Sequence, residues 1–189
     1  MNKASDYIEF DKVNYKANLL LKDPKKCVLG FYLIFSINTG LRISDTLRVK
    51  HGDITSNNTL IVEEKKTKKK RTITLNNNVI NAYAKLKLML TENGIKFNEQ
   101  DFIFVSQKGT VYRTQSINEV LKQIFNTKEL QVSSHSLRKA FGRRIYENNN
   151  ESENALVLLS DIFGHSSIAI TRRYIGIRQK TIENAYLTL

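Results

Sequence analysis

Apolar residues recur along most of this chain at helical spacing, and the longest apolar run predicts a helix that is buried on all sides. That run covers residues 27–37 and holds only a few small or polar positions. Asp23 and Pro24 precede it, and Asp at the cap with Pro at the first helical position favours a helix start there. Gly40 follows the run and is a typical helix end. We therefore expect this helix to lie at the centre of the core.

Apolar positions spaced three or four residues apart predict two amphipathic helices in the middle of the chain. These positions are Val79, Tyr83, Leu86 and Leu90 in the first helix and Ile117, Val120, Leu121 and Ile124 in the second. The first helix is expected to end at Asn93-Gly94, a common C-cap pair. Three more helices are predicted over residues 134–148, 153–163 and 167–173, with a short one from residue 181 to the C-terminus.

The segment between these helices and the central one predicts a β-hairpin. A short helix is expected over residues 44–49, and strands are expected over residues 59–64 and 71–75. The turn between the two strands is rich in lysine, so the hairpin has a basic tip. The fold class predicted from these elements is α+β, mainly α with a small antiparallel β-sheet.

The chain is expected to form one main domain. It holds a single proline, and no Ser/Gly-rich or Pro-rich run marks a linker between two domains. We expect residues 1–22 to be an N-terminal segment, either a linker remnant or a packing helix. The main domain is expected to cover residues 23–178, and residues 179–189 are expected to be a C-terminal tail.

Cysteine content and hydropathy exclude several classes of protein. The single cysteine, Cys27, excludes an internal disulfide framework and a multi-cysteine zinc site, and it suits a reducing compartment. The longest apolar run is far shorter than the roughly 20 residues that a bilayer span needs. The N-terminus shows no charged-then-apolar signal region. The sequence therefore predicts a cytoplasmic protein with no membrane partner.

The charge balance favours a polyanionic partner. The chain has 30 Lys and Arg residues against 18 Asp and Glu residues, which gives a formal net charge of +12. Six of the seven residues over 65–71 are basic. Basic pairs recur at Lys25-Lys26, Arg143-Arg144 and Arg172-Arg173. Because the charge is spread through the chain and not confined to a tail, we expect a folded basic surface that binds a nucleic acid duplex.

Three separated clusters and a tyrosine carry residue types suited to phosphoryl transfer. In chain order they are Thr39-Gly40-Leu41-Arg42-Ile43-Ser44-Asp45, His135-Ser136-Leu137-Arg138, Gly164-His165-Ser166-Ser167 and Tyr174. With the basic hairpin after the first cluster, they resemble the catalytic domain of the tyrosine recombinase or phage integrase family. The pattern of that family is Arg, hairpin Lys, His-x-x-Arg, Gly-His and Tyr. The resemblance covers residues 23–178 and implies an integrase-like catalytic fold.

This resemblance implies metal-independent transesterification of double-stranded DNA. A tyrosine attacks a phosphodiester to give a covalent 3′-phosphotyrosyl link and a free 5′ hydroxyl, and a second strand then reseals the link without a cofactor. The catalytic residues that the resemblance implies are Arg42, Lys66, His135, Arg138, His165 and Tyr174.

These residue types fit the demands of that reaction. Guanidinium groups stay protonated and offer paired N–H donors to non-bridging oxygens, which suits Arg42 and Arg138. A phenol has a pKa near 10, so Tyr174 needs help to ionise, and the family pattern implies His135 as the base. The pattern implies that His165 donates a hydrogen bond to a non-bridging oxygen. It implies that Lys66 protonates the departing 5′ oxygen.

Some residue assignments have alternatives. Tyr186 is a second candidate for the nucleophile near the same end of the chain. Asp45 is expected to orient Arg42, although the family more often has Glu at this position. The register of the hairpin leaves four other candidates for the general acid. They are Lys65, Lys68, Lys69 and Lys70.

The histidines do not predict a metal site. The three of them are not paired at the helical spacing of metal ligands, and no carboxylate cluster accompanies them. We therefore predict no metal and no cofactor, and we expect His51 to have no catalytic role.

The resemblance leaves three functions open. The first is site-specific recombination or integration for a phage or mobile element. The second is strand relaxation like that of type IB topoisomerases, and the third is DNA binding as an accessory protein without turnover. The family also implies a homo-oligomer on DNA, a tetrameric synapse, with the tail docked on a neighbouring protomer or folded back on its own domain.

The family's N-terminal core-binding domain is expected to be missing, because only about twenty residues precede the recognised part. The chain is then either a catalytic fragment or a minimal recombinase that relies on partners for grip and site choice.

Overall fold

A computed structural model describes residues 5–66, 68–127, 130–177 and 185–188. Within these ranges the chain is mostly helical, with one antiparallel pair of strands. The elements are α1 (Phe10–Leu21), α2 (Cys27–Thr39), α3 (Ile43–Thr46), β1 (Thr59–Glu63), β2 (Lys70–Thr74), α4 (Asn77–Glu92), α5 (Thr114–Phe125), α6 (Ser134–Asn148), α7 (Glu153–Phe163) and α8 (Ile168–Tyr174). A single 3₁₀ turn covers His51–Asp53. The predicted fold class is confirmed.

Helix α2 lies at the centre of the main core and packs against α1, α4 and α6. It ends where predicted, because Gly40 takes up the left-handed conformation (φ 61°) and its N–H donates to the Ser36 carbonyl. The predicted start was wrong by three residues. The Asp23 carboxylate accepts the Lys25 N–H at 2.9 Å, and this closes a turn around Pro24 before the helix begins.

Helix α1 packs closely on α2 through its buried residues Val13, Ala17 and Leu21. A methyl group on Gly30 of α2 would come within 2.8 Å of the Ala17 carbonyl oxygen, so only glycine allows this approach. Residues 1–22 were expected to be either a linker remnant or a packing helix, and residues 10–21 form a packing helix. The division of the chain into a segment, a main domain and a tail stays a prediction.

Strands β1 and β2 pair antiparallel from Thr59 opposite Thr74 to Glu63 opposite Lys70. Each strand lies within one residue of its predicted bounds. The side chains of Leu60 and Val62 point into the core, whereas Ile61 between them is exposed. The hairpin therefore attaches to the core by one face and leaves its turn in solvent.

A second apolar cluster joins α6, α7 and α8. The bounds of α6 and α7 match the predicted ones, and α8 begins one residue later than predicted. Gly142 of α6 lies against this cluster, where an added methyl group would come within 2.7 Å of Ile175. The predicted C-terminal helix and the tail 179–189 lie outside the described residues except for residues 185–188.

Within the described ranges, no single helix is long and apolar enough to cross a membrane. Helices α7 and α8 reach that length only as a pair bent by 89°.

Candidate active site

The ends of two helices supply the framework of the site. The last carbonyl groups of an α-helix have no partner within the helix, and they form the negative end of its dipole. Such carbonyls belong to Gly40 after α2 and to Ile162 and Phe163 at the end of α7. All three accept hydrogen bonds from arginine side chains. The two helix ends thus gather positive charge.

Arg138 on α6 connects the two helix ends. Its buried guanidinium donates to the Gly40 carbonyl and, at 3.2 Å, to the Phe163 carbonyl. The Arg138 Cζ also lies 4.3 Å from the centroid of the Phe163 ring, a cation–π contact. Burial lowers the pKa of Arg138 to about 10, so the guanidinium stays protonated at neutral pH.

Arg42 and Arg138 meet at the same oxygen. Arg42 immediately precedes α3, and its Nη2 donates to the Phe163 carbonyl at 3.0 Å. Two guanidinium groups that share one carbonyl oxygen lie within a few ångströms of each other. The fold therefore brings together the two arginines, which lie in separate clusters of the sequence. Paired cations of this kind suit the two non-bridging oxygens of a phosphate.

The carboxylate partner of Arg42 is Glu64, so the expectation that Asp45 orients Arg42 was wrong. The Nη1 of Arg42 lies 3.3 Å from the Oε2 of Glu64. Asp45 is buried, and its Oδ1 accepts the backbone N–H of Lys65 at 3.0 Å. Because the Asp45 carboxylate binds the backbone at the beginning of the hairpin turn, it does not orient Arg42.

Tyr174 is the last residue of α8 and is half-buried. Its hydroxyl lies 3.5 Å from the Nδ1 of His135, and its ring centroid lies 5.3 Å from that of His165. Burial raises the pKa of Tyr174, whereas the positive charges of Arg138 and Arg42 lower it. On balance the pKa of the phenol is raised, so Tyr174 is protonated in the free protein and lies beside an imidazole.

The environment favours the neutral form of both histidines. Burial lowers the pKa of His135, and the positive side chains around it lower the pKa further. The same causes lower the pKa of His165. The Nδ1 of His165 lies 2.9 Å from the Thr171 hydroxyl, which leaves Nε2 for a ligand. A neutral imidazole can accept a proton or donate a hydrogen bond, whichever the ligand requires.

Lys66 differs from the buried and half-buried predicted residues in its exposure. It lies in the turn that joins β1 to β2, and its side chain is exposed. The turn itself is held by two backbone hydrogen bonds, from Glu64 to Lys69 at 3.0 Å and from Lys68 to Glu64 at 2.8 Å. The general acid therefore stays a prediction among the hairpin lysines.

Tyr186, the second candidate for the nucleophile, and His51, for which no catalytic role is expected, lie in different environments. Tyr186 is 76% exposed, in the short described segment near the C-terminus. His51 is buried, with its Nδ1 at 2.8 Å from the Tyr83 hydroxyl and its ring stacked on Phe97. His51 is thus held in the core by a hydrogen bond and by ring stacking. Over the described ranges, no group of three or more His, Cys, Asp or Glu residues could hold a metal ion.

Sequence reasoning missed three side chains of this site. Glu64 pairs with Arg42, Arg71 pairs with Glu64, and the Nζ of Lys139 lies 5.8 Å from the centroid of the Tyr174 ring. Only Glu64 left a signal in the sequence. It continues the alternation of buried positions along β1, so a carboxylate was due to point toward the core.

Comparisons with known proteins agree on one family. The model of the phage integrase family matches residues 7–180. The probable integrase/recombinase YoeC of Bacillus subtilis is 33% identical over 156 residues, which cover 82% of this chain and 81% of YoeC. The tyrosine recombinase XerH of Campylobacter jejuni is 27% identical over 144 residues, which cover 73% of this chain but 38% of XerH.

Solved structures share the fold. A XerH recombinase bound to palindromic difH substrate in a post-cleavage complex superposes with a TM-score of 0.72 and 21% identity, over 98% of this chain and 53% of that one. A lambda integrase dimer bound to a COC′ core site gives a TM-score of 0.61 and 20% identity, over 93% of this chain and 61% of that one. The chain thus spans little more than half the length of these structural relatives.

The fold is that of the tyrosine recombinase structures, and the site gathers the arginine, histidine and tyrosine side chains that the family pattern in the sequence implied. Since the family model covers most of the chain and YoeC shares a third of the compared residues, the chain belongs to the phage integrase family.

Proposed function

We propose that this chain is the catalytic part of a site-specific DNA recombinase or integrase, with Tyr174 as the nucleophile. The Tyr174 oxygen attacks a phosphorus atom of duplex DNA, and a phosphotyrosyl bond forms as the bond to the 5′ oxygen breaks. The 5′ hydroxyl of another strand then attacks the phosphotyrosyl link, so that the DNA bond re-forms and the phenol is released. Both steps are transesterifications, and no high-energy cofactor is consumed.

One observation carries this proposal. Arg42 and Arg138 donate to the same Phe163 carbonyl at 3.0 and 3.2 Å, beside the phenol of Tyr174. The pair supports a role in binding the charge that gathers on the non-bridging oxygens of the transition state. The α7 carbonyl that they share keeps the two like charges together before DNA arrives.

The proton of Tyr174 is proposed to pass to His135. The 3.5 Å separation from the hydroxyl to Nδ1 is long for a hydrogen bond, and we expect it to shorten when substrate aligns the phenol. His165 is proposed to donate from Nε2 to a non-bridging oxygen, because Thr171 already occupies its Nδ1.

The partner is proposed to be double-stranded DNA, since the XerH and lambda integrase neighbours are bound to DNA. The lambda integrase neighbour is a dimer on its site, and we propose that this chain also assembles on DNA, as a tetrameric synapse. The proposed compartment is the cytoplasm, which suits the single free thiol of Cys27.

The direct test is to trap and map the covalent intermediate. A nicked duplex from the DNA that flanks the gene releases a short 5′ fragment after cleavage, so that the protein stays attached in a denaturing gel. After nuclease digestion, mass spectrometry should find the nucleotide on the peptide that contains Tyr174. A nucleotide on Tyr186 would refute Tyr174 as the nucleophile. The absence of any adduct would refute the proposal that the chain cleaves DNA through a covalent intermediate. Relaxation of a plasmid without recombinant product would favour the topoisomerase-like activity.

The cleavage rate should depend on pH through His135. Because the pKa of His135 lies below its usual value of about 6.5, the imidazole stays a neutral base at neutral pH and loses this role only in more acidic solution. We expect the single-turnover rate of adduct formation to fall as the pH is lowered, with an inflection below about pH 6.5. The His135→Gln variant should be slower by about a hundredfold and should lack this inflection. A wild-type inflection above neutral pH, or one that persists in the variant, contradicts the assignment.

The general acid can be identified by changing the leaving group. The Lys66→Ala variant should cleave ordinary DNA more slowly, by about a hundredfold, because the departing 5′ oxygen needs a proton. It should regain wild-type speed on DNA whose 5′ bridging oxygen is replaced by sulfur, which leaves without one. The matched controls are Ala variants of Lys65, Lys68, Lys69 and Lys70. If the sulfur substrate restores the cleavage rate of one of these variants and not that of Lys66→Ala, that lysine is the general acid.

A further inference from the structure

Glu64 is a buried carboxylate between two arginines. It follows β1 directly, and its side chain is 9% exposed. Its Oε2 lies 3.3 Å from the Nη1 of Arg42, and its Oε1 lies 2.9 Å from the Nη1 of Arg71. Neither the family pattern in the sequence nor the chemistry derived above uses this carboxylate.

Arg71 links this ion pair to the end of α7. The same Nη1 that contacts Glu64 donates to the Ile162 carbonyl at 2.9 Å. The next carbonyl along the chain, that of Phe163, accepts from Arg42. The hairpin and the end of α7 are thus joined twice, once through each arginine, with Glu64 between the two.

The two ion pairs restrict the movement of Arg42. A lone guanidinium on a long side chain samples many rotamers, and fixing it when substrate binds costs free energy. Glu64 accepts from one terminal nitrogen of Arg42 while Phe163 accepts from the other, so both ends of the fork are held. A carboxylate as deeply buried as that of Glu64 is stabilised by such partners.

We propose that Glu64 is the positioning residue for Arg42, holding its guanidinium in the orientation that binds the scissile phosphate, and that Arg71 in turn holds Glu64. This inference rests on the proposed function, because it concerns how the same site is organised before DNA binds. Asp45, the expected partner, instead holds the start of the hairpin turn through Lys65.

This role makes opposite predictions for DNA affinity and for cleavage rate. A negative charge close to the phosphate opposes binding of the DNA polyanion, yet it is needed to orient Arg42 for the transition state. Removal of that charge should therefore tighten binding and slow cleavage. Loss of the fold would weaken both, so the two effects distinguish positioning from a merely structural role.

The test compares Glu64→Gln with Glu63→Gln. Glu63 is the adjacent residue, exposed on the opposite face of β1 and paired in register with Lys70. Each variant removes one negative charge, at the last residue of β1 or at the residue that follows it. We expect Glu64→Gln to form the covalent adduct about tenfold to a hundredfold more slowly. Its affinity for duplex DNA should be higher than that of the wild type, and the slope of affinity against salt concentration should be steeper by at most about one counterion. Glu63→Gln should match it in affinity and match the wild type in rate.

A charge-conserving double variant separates positioning from net charge. Glu64→Gln/Arg71→Gln keeps the formal charge of the wild type, so its DNA affinity should be unchanged while its cleavage stays slow. Wild-type cleavage by the double variant, or by Glu64→Gln alone, would overturn this inference and leave the proposed function intact. If the wild-type chain itself forms no adduct, both the proposed function and this inference are wrong. Weakened DNA binding by Glu64→Gln together with a lower thermal unfolding midpoint would show a structural role and overturn the inference.

Discussion

Replacement of Tyr174 by Phe is expected to abolish the covalent protein–DNA adduct while duplex binding persists. Phenylalanine lacks the oxygen that forms the phosphotyrosyl bond, so cleavage should fall to background. The ring keeps its place because its contacts with Phe163 and His165, at centroid distances of 5.4 and 5.3 Å, do not involve the hydroxyl. Adduct formation on the nicked duplex and a gel-shift titration measure the two effects separately.

The matched control for this variant is Tyr186→Phe. Tyr186 is the other tyrosine that the sequence brings into question, and its side chain lies in solvent. We expect Tyr186→Phe to form the adduct at the wild-type rate. Retention of the adduct in Tyr174→Phe, combined with its loss in Tyr186→Phe, would reverse the assignment.

Replacement of Arg138 by Lys is expected to slow cleavage by about 10²–10³-fold even though the positive charge is kept. The planar guanidinium of Arg138 donates to the Gly40 and Phe163 carbonyls at the same time. An ammonium group cannot reproduce this forked geometry, so one helix end loses its donor and the phosphate loses a paired contact. Since the pKa of Arg138 is about 10, the wild-type group is charged throughout the pH range of the assay.

Arg144→Lys is the control for this second variant. Arg144 lies on the same helix α6, but on the surface, where its Nη1 is 3.6 Å from the Oδ2 of Asp11. Exposed ion pairs of this kind contribute little to stability. Its rate and its unfolding midpoint should equal those of the wild type. Equal cleavage rates for Arg138→Lys and Arg144→Lys would refute a role of the guanidinium geometry.

Local sequence signals predicted most of the helices and the hairpin. The left-handed glycine that ends α2 and the apolar periods of α6 and α7 act over a few residues, so their effect does not depend on the rest of the fold. The start of α2 was missed because a side chain made a competing local bond. The Asp23 carboxylate accepts the Lys25 N–H and closes a turn where a cap was expected.

The candidate site was only partly predictable. The resemblance to the family pattern implied Arg42, Arg138, His135, His165 and Tyr174, and the chemistry of these side chains fits a phosphodiester. The choice between Asp45 and Glu64 as the partner of Arg42 was not predictable. Both are acidic residues at plausible positions, and only the path of the hairpin decides which carboxylate reaches the guanidinium.

By itself, the sequence determined the class of elements, the basic character of the chain and the kinds of side chain available for chemistry, since these depend on composition and on short-range periodicity. Only the tertiary structure decided which groups meet. The carbonyls that gather Arg42, Arg71 and Arg138 belong to the backbone at the ends of α2 and α7, and every residue type presents the same carbonyl. Their role depends on where the two helices end relative to each other, which no local pattern of residues records.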